Sequence, residues 1–176
     1  MISDRIEEEE RIALEQQRDH EAEVIRGSIR ELSGLQEEVV ALDSKATVAE
    51  AVTAMIDNRV GAVLIIEDQK LLGLFSERDV LTRVVAQGRE LAETPLVDVM
   101  TPDPECLSFD HKLVFALNKM TVGGYRHIPI LDKEGVPIAV ISMRDVMEHI
   151  VSFFATEVFN LPDDPDDSVT RKREGA

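Results

Sequence analysis

The sequence predicts a mixed α+β (α/β) fold made of two tandem β-α-β-β-α units with an added N-terminal helix, and three observations predict it. One is an internal repeat: "VVALDSKATVAEAVTAMIDNRVGAVLIIEDQKLLGLFSERDVL", from Val39 to Leu81, is echoed by "PECLSFDHKLVFALNKMTVGGYRHIPILDKEGVPIAVISMRDVM", from Pro104 to Met147. Within each copy a helical apolar period gives way to two short apolar runs parted by a polar turn. Both copies also close on the same tetrad, Ser-x-Arg-Asp, in "FSERDVL" and "ISMRDVM".

The elements follow in chain order. Residues 1–35 form an acidic, helix-favouring segment whose apolar positions are Ile2, Ile6, Ala13, Val24, Ile29 and Leu32. Two readings stand for it: a solvated helix packed on one side, or a contact with a second copy or a partner. The first repeat is expected over 36–92. Thr47-Val-Ala-Glu50 is a capping box, and Val48, Ala51, Val52 and Met55 take the i, i+3, i+4, i+7 positions of an amphipathic helix. Strands Ala62–Ile66 and Leu71–Phe75 flank the turn "EDQK". The second repeat, 93–158, has Leu113, Ala116, Leu117 and Met120 on its helix, then strands His127–Leu131 and Pro137–Ile141 around "DKEG". A tail over 159–176, rich in Asp and Pro, reads as disordered.

Composition excludes several function classes. A formal net charge of −16 disfavours a grip on nucleic acid, which needs Lys and Arg on phosphates, and equally disfavours anionic membranes. The longest apolar run, "VGAVLII", falls far short of the roughly 20 residues of a membrane span. The acidic N-terminus has no apolar core of a secretory signal, so a cytoplasmic protein is expected. A single Cys106 and the isolated His20, His111 and His149 offer no metal-ligand spacing, so no metal is expected. There is no P-loop, no GxGxxG and no nucleophile elbow, and the expectation is a protein that is not an enzyme.

The Ser-x-Arg-Asp tetrad stands where each second strand runs into a helix. A Ser followed three residues on by an acid is a capping box, which alone requires no ligand; Thr47 and Glu50 have the same spacing and are read only that way. The two repeated tetrads, "YRHIPILD" (Tyr125–Asp132) and "PLVDVMTPDP" (Pro95–Pro104) together resemble the paired cystathionine-β-synthase (CBS) domains, or Bateman module, over about residues 37–155. "PLVDVMTPDP" is similar to the family's lead-in to a repeat. The corresponding "GLQEEVVALD" ahead of the first copy departs from that Met-Thr pattern.

The resemblance implies two repeats packed as a pseudo-two-fold pair, with an adenosine ligand (AMP, ADP, ATP, NAD or S-adenosylmethionine) between them. It places Asp79 and Asp145 on the ribose hydroxyls, and Ser76, Ser142, Arg78, Arg144 and Arg126 at the phosphate. His127 is read either as facing the phosphate or as a strand-end His bonded to backbone. Tyr125 lies against the adenine or covers the cleft mouth. Gly61, Ala62 and Thr101 complete the implied ligand set. Because Val60-Gly61-Ala62 stands where the second copy has Tyr125-Arg126-His127, the two clefts should differ in charge, with Arg59 a substitute cation.

The function implied is a regulatory module that senses an adenosine nucleotide and passes it on as a changed orientation of the two repeats. The other reading is a scaffolding dimer with vestigial clefts. A homodimer is expected through the helix carrying Met147, Ile150, Val151, Phe153 and Phe154. A protein partner would receive the output through that helix or the N-terminal segment.

Overall fold

The computed structural model describes residues 26–32 and 39–154, together with residues 8, 11 and 12. Most of the acidic N-terminal segment and the whole of the 159–176 tail lie outside the described residues. The fold is the mixed α+β one that the sequence predicts.

In the first repeat, β1 (Ala41–Leu42) precedes helix α1 (Val48–Asn58), and strands β2 (Ala62–Glu67) and β3 (Lys70–Ser76) follow as an antiparallel hairpin. Thr47 caps α1 in a capping box with Glu50. Val48, Ala51 and Met55 are buried on it, on the face that the periodicity marked. The next helical segment, α2, is irregular. It opens with an α-turn at Glu77–Asp79, widens to a π stretch at Val80–Val84 and tightens to a 3-10 turn at Val85–Gln87. Gly88, at φ +65°, ends it.

The chain then crosses through a 3-10 turn at Leu96–Asp98 to β4 (Thr101–Pro102), which pairs with β3 and completes a sheet in the order β1-β2-β3-β4. Gly73 permits that pairing: a Cβ there would lie 2.9 Å from the Thr101 carbonyl oxygen. The second repeat carries helix α3 (Leu113–Gly123), the hairpin β5 (His127–Leu131) and β6 (Pro137–Ser142), and helix α4 (Met143–Phe153). Where the first repeat has β1, the second has a single parallel bridge from Leu107 to Ile130.

The lead-in segments are exchanged between the repeats. Leu96 N–H donates to the Ala46 carbonyl at 2.9 Å, and Leu96 and Val99 are buried in the core of the first repeat with Val48 and Phe75. Ile29 N–H donates to the His111 carbonyl at 2.9 Å, and Ile29 and Leu32 are buried in the core of the second repeat with Leu113 and Ile128. Residues 29–31 are a 3-10 turn, not part of a long solvated helix, because Ser28 and Glu31 close a capping box around a single turn whose apolar side chains point into that core. Burying Ile29 contributes about 1.5–3 kcal/mol. Among the described residues, no helix is long and apolar enough to cross a membrane.

Candidate functional site

Each tetrad sits at a strand-to-helix joint, where free N–H groups and the positive end of the helix dipole favour an anion. The local geometry repeats. Glu77 N–H donates to the Gly61 carbonyl at 3.1 Å, and Met143 N–H donates to the Arg126 carbonyl at 2.9 Å. Ala62 pairs with Ser76 across its hairpin, as His127 pairs with Ser142. The backbone frame of the two joints is thus the same.

The side chains are not. At the second joint, Ser142 N–H donates to Asp145 Oδ2 at 2.6 Å, while Asp145 N–H donates to Ser142 Oγ at 3.2 Å. Among the described residues none bonds Asp145 Oδ1. At the first joint, Asp79 Oδ2 accepts from both the backbone N–H and the hydroxyl of Ser76, at 2.9 and 2.7 Å. Its Oδ1 is held by Arg83 Nε at 3.2 Å.

A cleft of about 1080 Å³ opens beside the second joint. Of the residues implied for a ligand, it brings together Asp145, Ser142, Arg144, Arg126, His127, Gly61 and Ala62. Its apolar wall includes Val39, Val40 and Val140. Arg59, which the sequence offered only as a substitute, lines it with Arg126, and among the described residues neither makes an ion pair or a side-chain hydrogen bond. Arg59 adopts a left-handed conformation at the end of α1, φ 56°, where the second repeat has Gly124. Glu77 and Glu148 add two carboxylates. Glu148 pairs with Arg144 at 2.7 Å and holds its guanidinium above its ordinary pKa.

His127 is half-buried at the junction of the repeats. Burial pushes its pKa down, partly offset by the carboxylates of Glu77, Asp145 and Asp79, with Arg126 pushing it further down. Gly61 is what makes room for it: a Cβ at 61 would stand 2.9 Å from His127 Nε2.

The remaining expected residues do not line this cleft. Ser76 and Asp79 belong to the first joint, and Arg78 spans the repeats, donating to the Gly124 carbonyl at 3.2 Å. Thr101 pairs with Leu74 in the sheet. The Tyr125 ring folds back over Gly123 at the end of α3. Two residues that matter here are not fixed by the tetrad pattern, Arg83 beyond it and Glu77 at its variable position. Arg83 could have been found as a cation one helical turn after Asp79, whereas the role of Glu77 follows only from the fold. Among the described residues no group of three His, Cys, Asp or Glu is placed to hold a metal ion.

Two repeats with matched joints and exchanged lead-ins define a tandem pair of CBS domains. The CBS domain family model matches residues 29–86 and 96–152, and the chain belongs to that family. Among curated relatives, the chain is 36% identical over 105 residues to the CBS domain-containing protein CBSCBSPB3 of Arabidopsis thaliana, covering 60% of this chain and 19% of the relative. It is 34% identical over 110 residues to the mitochondrial CBS domain-containing protein CBSX3 of the same plant, covering 60% of this chain and 53% of that one. The chain thus spans about a fifth of the first relative and about half of the second. Among solved structures, it superposes with a TM-score of 0.62 and 27% identity on the CBS domain protein PAE2072 of Pyrobaculum aerophilum, complexed with AMP, over 72% of this chain and 99% of that one. A second, the CBS-domain containing protein ATU1752 of Agrobacterium tumefaciens, matches with a TM-score of 0.63 and 25% identity over 69% and 98%.

Proposed function

We propose that the chain is a regulatory module that binds an adenosine phosphate in the cleft beside Asp145 and reports it to a partner as a change in the relation of its two repeats. The observation that carries this reading is the Asp145 carboxylate, which has one oxygen tied to its own joint and the other unpaired among the described residues, in a cleft that Arg126 and Arg59 also line. Ribose offers two adjacent hydroxyl donors, which suit that oxygen. Hydrogen bonds of this charge-assisted kind are worth about 1.5–3 kcal/mol each.

The phosphate then meets Arg126 and Arg59, with the N-terminus of α4 behind it. Val39 and Val140 are suited to an apolar base. AMP in the related Pyrobaculum protein supports the ligand class. Arg59 and Arg126, without an ion-pair partner among the described residues, favour a di- or triphosphate over AMP, because each added phosphate oxygen gains a charged partner. No step here requires bond breaking, so the reading is of a sensor, not a catalyst.

Transmission follows from what lines the cleft: Gly61 and Glu77 come from one repeat, Asp145 and Arg126 from the other. A ligand contacting both favours one relative orientation, by as much as its differential affinity, typically about 1–3 kcal/mol. The outer face of α4, with Met147 49% and Phe153 40% exposed, is the surface proposed for the homodimer or a protein partner.

Thermal unfolding against AMP, ADP, ATP, NAD, S-adenosylmethionine and GTP tests the reading. At 100 times Kd the stabilisation is about 2.7 kcal/mol, a shift of several degrees. A shift confined to adenosine compounds and lost in Asp145→Asn is expected. No shift with any of them, in protein freed of carried-over nucleotide, would favour a scaffolding pair with vestigial clefts.

A further inference from the structure

We propose that Arg83 is a built-in occupant of the first joint, so that the chain takes one nucleotide, beside Asp145, and holds a second, pseudo-equivalent ribose position at Asp79 closed. This rests on reading the Asp145 cleft as a nucleotide site.

Four observations lead to it. Both Asp79 oxygens are spent, Oδ2 on the two Ser76 donors and Oδ1 on Arg83 at 3.2 Å. The Asp79 side chain is 11% exposed. The same guanidinium donates through Nη1 to the carbonyls of Val99 and Met100, so it stitches the joint to the lead-in of the second repeat. At the corresponding place four residues after Asp145 stands His149. It is buried and turned against the Phe153 ring, at 5.0 Å between centroids, leaving Asp145 Oδ1 unpaired among the described residues.

A guanidinium presents donors to a carboxylate much as a ribose diol does, and here it is tethered to the same chain. A ribose reaching Asp79 would have to displace it, giving up an ion pair and leaving two backbone carbonyls without their donor. A tethered competitor acts at high effective concentration, so the identical tetrads are unequal sites. Arg83 is therefore a gating residue that sets stoichiometry, and it touches no ligand itself.

The test is calorimetric titration of the full chain with ADP. The wild type should bind one ADP per chain, Asp79→Asn should still bind one, and Asp145→Asn should bind none. Arg83→Met should bind two, falling to one when Asp79→Asn is added. Two ADP per chain in the wild type, or a folded Arg83→Met that still binds one, would overturn the proposal.

A second measurement stands independently of how Arg83→Met folds. The Arg83 Nε–H resonance should be protected from solvent exchange, should persist at saturating ADP and should be lost in Asp79→Asn. Free exchange in the wild type would overturn the seal. If no nucleotide binds to any variant while this resonance is protected, the sensor reading fails and the closed joint stands.

Discussion

The two strand-to-helix joints share a tetrad and a backbone frame, yet they use the carboxylate differently. Asp79 is folded into its own repeat, shared between Ser76 and Arg83 and nearly closed to solvent. Asp145 keeps an oxygen unpaired among the described residues and faces a cleft walled by the other repeat. Residues outside the tetrad make the difference. Arg83 stands against His149 one turn on, Arg59 against Gly124 at the end of the preceding helix, and Gly61 against Arg126 ahead of the first hairpin strand. Internal repetition duplicates a frame, and a few neighbours decide which copy has a carboxylate to offer.

The comparison can be broken most directly by exchanging the fates of the two acids. Asp145→Asn should weaken an adenosine phosphate by about 100-fold or more, the loss of two charge-assisted hydrogen bonds at about 1.5–3 kcal/mol each. Asp79→Asn should leave that affinity within about twofold. Calorimetry on both variants reads this, and equal losses would erase the asymmetry.

Stability should show the reverse order. Asp79→Ala removes a cap worth about 1 kcal/mol and a partly buried ion pair worth about 1 kcal/mol more, whereas Asp145→Ala removes the cap alone. Denaturant midpoints should therefore fall about twice as far for Asp79→Ala. A larger loss at Asp145 would mean that its carboxylate is the structural one.

The half-buried His127 sharpens the comparison through pH. Burial holds its pKa below the ordinary value of about 6.5, so it is neutral near pH 7. A phosphate arriving beside it favours the charged ring. Binding should take up a proton, and affinity should rise as pH is lowered from 8 towards 6, by at most about tenfold per unit. Titrations in buffers of different ionisation enthalpy measure the uptake, and none would place the phosphate away from His127. Without ligand the sign reverses: the unfolded chain protonates first, so stability is lost as pH falls below about 6.5. Gly61→Ala should blunt the uptake by forcing His127 aside.

The smallest effect is expected at Arg59. Arg59→Gly relieves a left-handed backbone and should raise stability by about 1 kcal/mol while lowering the preference for ATP over AMP severalfold. A variant with the same ATP-to-AMP ratio as the parent would remove Arg59 from the phosphate.

How much of this was legible in the sequence divides along physical lines. Hairpin strands and helix faces were readable to within a residue or two, because apolar periodicity and the capping residues fix them locally. The first lead-in was not. Ile29 and Leu32 do for the second repeat what Leu96 and Val99 do for the first, but "SIREL" and "PLVDV" share only apolar spacing, and the contact joins residues far apart in the chain. The tetrads marked both joints correctly, whereas their inequality depends on where Arg83 and His149 turn, which packing decides. Arg59 stood in view as a cation, but its left-handed φ and its place on the cleft wall emerge only from the fold.

The crystal structure of the chain with ADP tests the central claim most directly. It should show one ADP per chain, its ribose on Asp145, its phosphates between Arg126 and Arg59, and Arg83 still bonded to Asp79. Density for a ribose on Asp79 with Arg83 swung away, and none on Asp145, would contradict it.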